Sequence, residues 1–265
     1  MSEEKYRTII NQASEMEKRW NVFTPILTFP LLISMFIFSG IFLTMFGKTV
    51  SQSGEELSIS VTDIEYSLAI PGIVWFWVAI IAWFFYFCAF IQASRNKINA
   101  YRWNSFALLF LMLPTYYSMF YGFQFFVPFL IVRLFYWGLF LYSFAYLFYI
   151  IVKRDGADTL VITKEITQRA TRVLLICWGL YAMLNVFVNG FSHFIARILL
   201  SVLPIFPILI IAVFTGVLRN FFSTLFVLNV IHKDQEHYRK EFGYSVEEWY
   251  GKKSKQAKEE ARNIK

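Results

Sequence analysis

Reactive and ligating side chains are scarce in this chain, and each shortage excludes something. There are two cysteines, Cys88 and Cys177, each inside an apolar run. That excludes a disulfide framework and leaves both as small buried hydrophobes. The three histidines, His193, His232 and His237, lie at the edges of apolar runs, so no two of them face each other across a helical core to hold a haem. His232 and His237 are also badly spaced for one helical face, which argues against a metal pair. No HExxH, Walker loop, GxSxG or CxxC occurs, so zinc-protease, nucleotidase, hydrolase and dithiol chemistry have no motif to rest on. No catalytic, cofactor-binding or metal-ligating set is assembled, and the chain is read as a non-enzyme. No cleavable signal peptide is expected before the first apolar run.

What the chain has instead is apolar length. Hydrophobic residues make up 57% and aromatics 20%, with 31 Phe and 8 Trp, a composition that soluble domains do not carry in long runs. From Trp103 to Val152 only Arg133 is charged. A straight helix of that length would reach roughly 75 Å, against a hydrocarbon core of ~30 Å. The run therefore folds back once, with Pro114, Gly122 and Pro128 offering the break. Backbone polar groups find no water in hydrocarbon, so both arms are expected as helices.

The fold class that follows is all-α: a polytopic membrane helix bundle with six transmembrane helices, both termini cytoplasmic. Residues 1–21 form an amphipathic helix, its stripe drawn from Tyr6, Ile9, Ile10, Ala13, Met16 and Trp20 at three- and four-residue spacing. That stripe either lies on the membrane surface, docks a soluble partner, or packs on the protein's own loops. The membrane domain covers 22–218, with spans at 22–46, 71–93, 103–123, 128–152, 173–191 and 194–218. The loop 47–67 is acidic. Within it Leu57, Ile59 and Val61 alternate with polar residues as a short strand would, and Thr62 with Glu65 makes a capping box. In the second span Ala79, Ala82, Ala89 and Ala93 share a face that admits a close neighbour. Pro204 and Pro207 fall near the middle of the sixth span and predict a kink, a candidate hinge. Residues 219–265 form an interfacial extension followed by a basic, helical tail. There Ser245 and Glu248 make a second capping box and Tyr244 can staple onto Trp249.

Charge sets the orientation. Of 25 Lys and Arg, only Lys48, Arg133 and Arg197 fall on the side of the acidic loop, so the other side, with both termini, is assigned to the cytoplasm. The net charge of +7 is thereby concentrated beside the spans, where it attracts anionic lipid headgroups and not nucleic acid. No Asp or Glu falls inside a predicted span, which argues against a proton-coupled carrier. Arg133 is expected to snorkel to the outer interface. Gln124, Arg133, Asn185, Asn189, His193 and Arg197 make up the one polar cluster that can be assembled near the membrane, at its outer face. Six spans after an amphipathic helix resemble, in architecture alone, the permease subunits of ATP-driven exporters. The leading expectation is a permease-like subunit or facilitator of transport in the plasma (inner) membrane, working with a cytoplasmic protein partner or as a homo-oligomer. The alternative is a non-enzymatic scaffold or assembly factor of a larger membrane complex. A continuous polar path between the spans would favour the first, and a dry bundle the second.

Overall fold

Runs of Phe, Leu, Ile and Trp with few breakers dictate helix. A computed structural model describes residues 3–19, 62–125, 127, 130–153 and 205–263, with scattered helical positions at 30, 31, 33, 34, 37, 41, 172, 176, 179, 180 and 183. All regular structure among the described residues is helical. The helices are α1 (Glu3–Arg19), α2 (Asp63–Ser67), α3 (Gly72–Gln92), α4 (Lys97–Gln124), α5 (Leu130–Lys153), α6 (Phe206–Lys233), α7 (Gln235–Glu241), α8 (Val246–Tyr250) and α9 (Lys255–Asn263). Among the described residues, four stretches are long and apolar enough to cross a membrane: Asp63–Gln92, Lys97–Gln124, Leu130–Val152 and Phe206–Lys233. The chain is a multi-pass membrane protein of helical type.

The helix ends follow local chemistry. Thr62 and Glu65 form the capping box that opens α2, the Thr62 hydroxyl accepting from Glu65 N at 3.2 Å and the Glu65 carboxylate from Thr62 N at 3.0 Å. Asn96 caps α4 by accepting from Asn99 N at 3.0 Å. Ser245 and Glu248 box α8 as expected, and Tyr244 lies against Trp249 at 5.7 Å between ring centroids. Each such cap is worth ~1 kcal/mol.

Packing centres on α4. The alanine face of α3 meets it: Ala82 and Ala89 are fully buried, and Trp75, Val78 and Ala82 cluster with Ala107 and Leu111 of α4 and with Ile33. Small residues let the two backbones approach, so dispersion replaces the hydrophobic gain that lipid cannot supply. On its other side α4 meets α5 and α6 through rings. Tyr116 is wholly buried, stacked on Phe144 at 5.6 Å and on Phe214 at 5.2 Å, with Phe140 at 4.9 Å. Phe120 stacks on Phe140 at 4.3 Å and meets Trp137 edge-on at 4.9 Å. Such pairs add ~0.5–1.5 kcal/mol each beyond contact area. Ser143 spends its one proton on Phe140 O (2.7 Å), so Tyr116 is the donor in the 2.7 Å bond between the two hydroxyls.

Three expectations are corrected here. Pro114 and Gly122 do not break the central run: both lie inside α4, which ends at Gln124. The Thr115 hydroxyl bonds Leu111 O at 2.7 Å near the proline, the kind of local adjustment that lets apolar helices keep a proline. Pro207 is not a mid-span kink. It occupies the first turn of α6, where a residue without an N–H leaves no bond unmade. Pro204 lies outside the described residues. Finally, α6 does not stop before Arg219 but runs unbroken to Lys233, so the stretch read as an interfacial extension is its second half. Most of the first and fifth spans, the strand around Leu57–Val61 and residues 194–204 of the sixth span lie outside the described residues.

Both described ends of the chain meet at one end of the bundle. Ile9, Ile10 and Ala13 of α1 are buried with Ile98 of α4, Val227, Leu228 and Ile231 of α6, and Val246, Trp249 and Tyr250. Of the three uses foreseen for the amphipathic stripe, the chain's own core takes it. Tyr6 stacks on Tyr238 at 5.5 Å, and Tyr101 donates to Gln12 Oε1 at 2.8 Å. This end is called the terminal end below, and the opposite one the distal end. Gly251 closes the terminal end against the α3–α4 turn. Its φ is +97°, and a Cβ there would stand 2.7 Å from Ser94 O; Lys253 N donates to that carbonyl at 3.1 Å.

Candidate functional site

An arginine near the first turn of an apolar helix has two ways to avoid stranding its charge: reach water, or find a carboxylate. Arg133 takes the second. Its side chain is fully buried, which corrects the expectation of snorkelling. Nε donates to Glu65 Oε1 at 2.8 Å and Nη2 to Glu65 Oε2 at 3.1 Å, a two-pronged pairing that suits the planar guanidinium. Nη1 donates to Val127 O at 3.0 Å, and the guanidinium sits 5.9 Å from the centre of the Phe125 ring. Glu65 is 5% exposed and keeps its capping duty, its Oε2 also accepting from the Thr62 hydroxyl at 3.2 Å. One carboxylate thus starts α2 and neutralises Arg133. The expected depth of Arg133, at the end of the bundle away from Lys153, holds; its solvation does not.

Gln124 lies at the same end. It is fully buried, and neither its Oε1 nor its Nε2 has a hydrogen-bond partner. Tyr121 OH and Ser118 Oγ, about one and two turns back along α4, are buried and unpartnered too. Tyr121 packs edge-on to Phe125 at 5.1 Å, while Tyr117 donates to Leu68 O at 2.6 Å and ties α4 to the segment after α2. Of the six residues expected to form an outer polar cluster, the structure brings Arg133 and Gln124 to one end, linked through Val127: Val127 N donates to Gln124 O at 3.1 Å. Asn185, Asn189, His193 and Arg197 lie outside the described residues. Sequence reading missed Glu65 as the partner because it was counted as a loop residue in an acidic segment. The signal available was the capping box, which fixes that carboxylate at the entry to the second span.

The terminal end holds a contrasting polar network. Asn96 Nδ2 donates to Gln235 Oε1 at 3.1 Å, and the Gln235 amide nitrogen bonds His232 Nδ1 at 3.0 Å, which joins the α3–α4 turn to the end of α6. Asp234 caps α7 by accepting from His237 N at 3.3 Å. The Arg239 side chain donates twice to Glu236 Oε2, at 3.1 and 3.0 Å, and to Tyr244 O at 3.0 Å. The hydrogen bond from Arg239 holds the Glu236 carboxyl below its ordinary range, with a smaller contribution from Tyr250. Burial, then the bond to that carboxylate, pushes the Tyr250 hydroxyl up. Among the described residues no group of three His, Cys, Asp or Glu side chains is arranged to hold a metal ion.

Comparison with family models, with curated proteins and with solved structures returned no match. The functional reading therefore rests on geometry.

Proposed function

We propose that the chain is a six-span membrane protein with both termini in the cytoplasm, acting as a non-enzymatic scaffold or assembly subunit of a membrane complex. Parity supports the six. α1 lies at the terminal end and α3 starts at the distal end; α5 finishes at the terminal end and α6 starts at the distal end. A single crossing by each of the apolar runs 22–46 and 173–191 fits those positions, and three crossings in either interval would take about 60 residues before any turn. The concentration of basic residues toward the terminal end supports a cytoplasmic assignment for it, and with it an inner, plasma-membrane location.

The observation that carries the scaffold reading is the aromatic layer around Tyr116. Rings from α4, α5 and α6 fill the space that a conduit between these helices would need, and Phe140, Phe120 and Tyr116 are all buried. Meanwhile α3 leaves Phe76, Trp77, Trp83, Phe84 and Phe87 exposed along its length, a broad aromatic face for lipid or a second membrane protein. Purification from native membranes in mild detergent tests this. The expected result is a particle larger than one 31.3 kDa chain, containing another membrane protein or further copies. Recovery as a lone monomer overturns the reading.

A second reading, a permease-like subunit or facilitator, draws on Gln124, Ser118 and Tyr121. Unpaired polar groups are what a pathway for a polar solute exposes. Reconstituted vesicles decide between the two: solute permeability above that of empty vesicles favours transport, and none favours the scaffold.

A further inference from the structure

The terminal half of the bundle contains a cavity of about 220 Å³ between α4, α5 and α6. Phe106, Leu109, Ile150, Phe222 and Leu225 make its apolar wall, and Asn229 stands among them. Sites that enclose a whole small molecule run ~300–1,000 Å³, so this one takes a length of apolar chain and leaves the rest of its occupant outside.

Charge lies beside it on one side. Helical spacing places Arg102 one turn from Phe106 on the same stripe of α4, toward the terminal end, and His232 in line with Leu225 and Asn229 on α6. Arg102 is half-buried, its Nε has no acceptor, and its guanidinium lies 5.8 Å from the centre of the Trp103 ring. Two carboxylates just past the end of α6 are engaged elsewhere, Asp234 capping α7 and Glu236 holding Arg239. An apolar slot beside a half-buried cation whose Nε lacks an acceptor is complementary to an anionic amphiphile.

We propose that this cavity binds one anionic phospholipid, an acyl chain lying along Phe106, Leu109 and Leu225 and the phosphate accepting from Arg102. The site rests on the membrane placement of the chain and not on the scaffold reading, so either survives failure of the other. The test is native mass spectrometry of the full chain released from mild detergent, with phosphatidylglycerol and phosphatidylcholine of identical acyl chains offered in turn. One phosphatidylglycerol per chain should be retained in preference to phosphatidylcholine. Arg102→Gln should weaken that retention about fivefold, the change equivalent to ~1 kcal/mol for one basic group at a lipid surface, while Arg102→Lys keeps most of it. Leu225→Trp should fill the slot and reduce retention of both lipids. Equal retention of the two lipids by the native chain overturns the proposal, as does Arg102→Gln behaving like the native chain. Displacement of the lipid by inorganic phosphate would mark a phosphate site instead and overturns it too.

Discussion

The two ends of the bundle handle buried polarity in opposite ways. At the terminal end short helices present their caps and carboxylates to water, and the polar groups form a connected network over an apolar floor. At the distal end an arginine and a glutamate are sealed together and an amide beside them is left with nothing to bond. The same side-chain types occur at both ends. What differs is how the charges are held: the Arg133 and Glu65 side chains are 0% and 7% exposed, while Glu236, paired with Arg239 at the terminal end, is 49% exposed. Ion pairs at the terminal end are therefore screened by water and cheap to lose, and the distal pair is consequential.

The sharpest way to break this contrast is to strand one member of the distal pair. Glu65→Ala leaves Arg133 buried without a counter-ion and should cost about 3–5 kcal/mol, read as a large fall in thermal midpoint in detergent. The double change Glu65→Met with Arg133→Met should recover most of that loss, because no charge is then left unpaired. If the single variant melts like the native chain, the pair is solvated and the contrast fails. At the terminal end the largest effect should come from Gly251→Ala, which combines a positive φ with a backbone clash at Ser94 O. A cost of about 1–3 kcal/mol is expected, with hydrogen exchange rising in α8 and α1 and unchanged in α5.

Gln124→Met sharpens the comparison further. Since neither end of the amide is bonded, the change should be neutral or stabilise by up to about 1–2 kcal/mol. A clear loss of stability would mean that Gln124 holds a bound polar species, which favours the transport reading. The smallest effect concerns pH. The bond to Arg239 lowers the Glu236 carboxyl below the ordinary value of 4.5, and the backbone N–H of Ser245 does the same for Glu248. Both shifts are downward, so the stability they contribute is complete above pH 4.5 and is lost as pH falls through the lower folded values. Both side chains are well exposed, so solvent screening keeps the contribution small. Hydrogen exchange in α7 and α8 should rise modestly as pH falls from 6 to 3.

Much of the local structure was legible beforehand at both ends. The Thr62 box at the distal end, and the Ser245 box, the Tyr244 staple and the α1 stripe at the terminal end, are all local patterns, set by residues a few positions apart on one helix. The central run folds back between Gln124 and Leu130, where the arms 103–123 and 128–152 were expected to meet; of the residues offered as breakers, Pro114 and Gly122 are tolerated inside an apolar helix, and nothing local distinguishes them from residues that end one. The end of the sixth span was set too early for a similar reason. A single Arg219 looks like a boundary, but a helix with packed neighbours runs through it.

By itself, then, the sequence determined the class of structure. Apolar runs longer than the hydrocarbon is thick, in a solvent that cannot bond a backbone, must form helices that cross it. It also determined where several of those helices begin, because a cap involves only near neighbours. The tertiary structure alone decided which partner each helix face and each charge would take. Arg133 meets Glu65 across 68 positions of chain, and the α1 stripe meets Trp249 from the far end of the protein. Those pairings depend on which surfaces the fold brings within a few ångströms, and spacing along one helix carries no information about that.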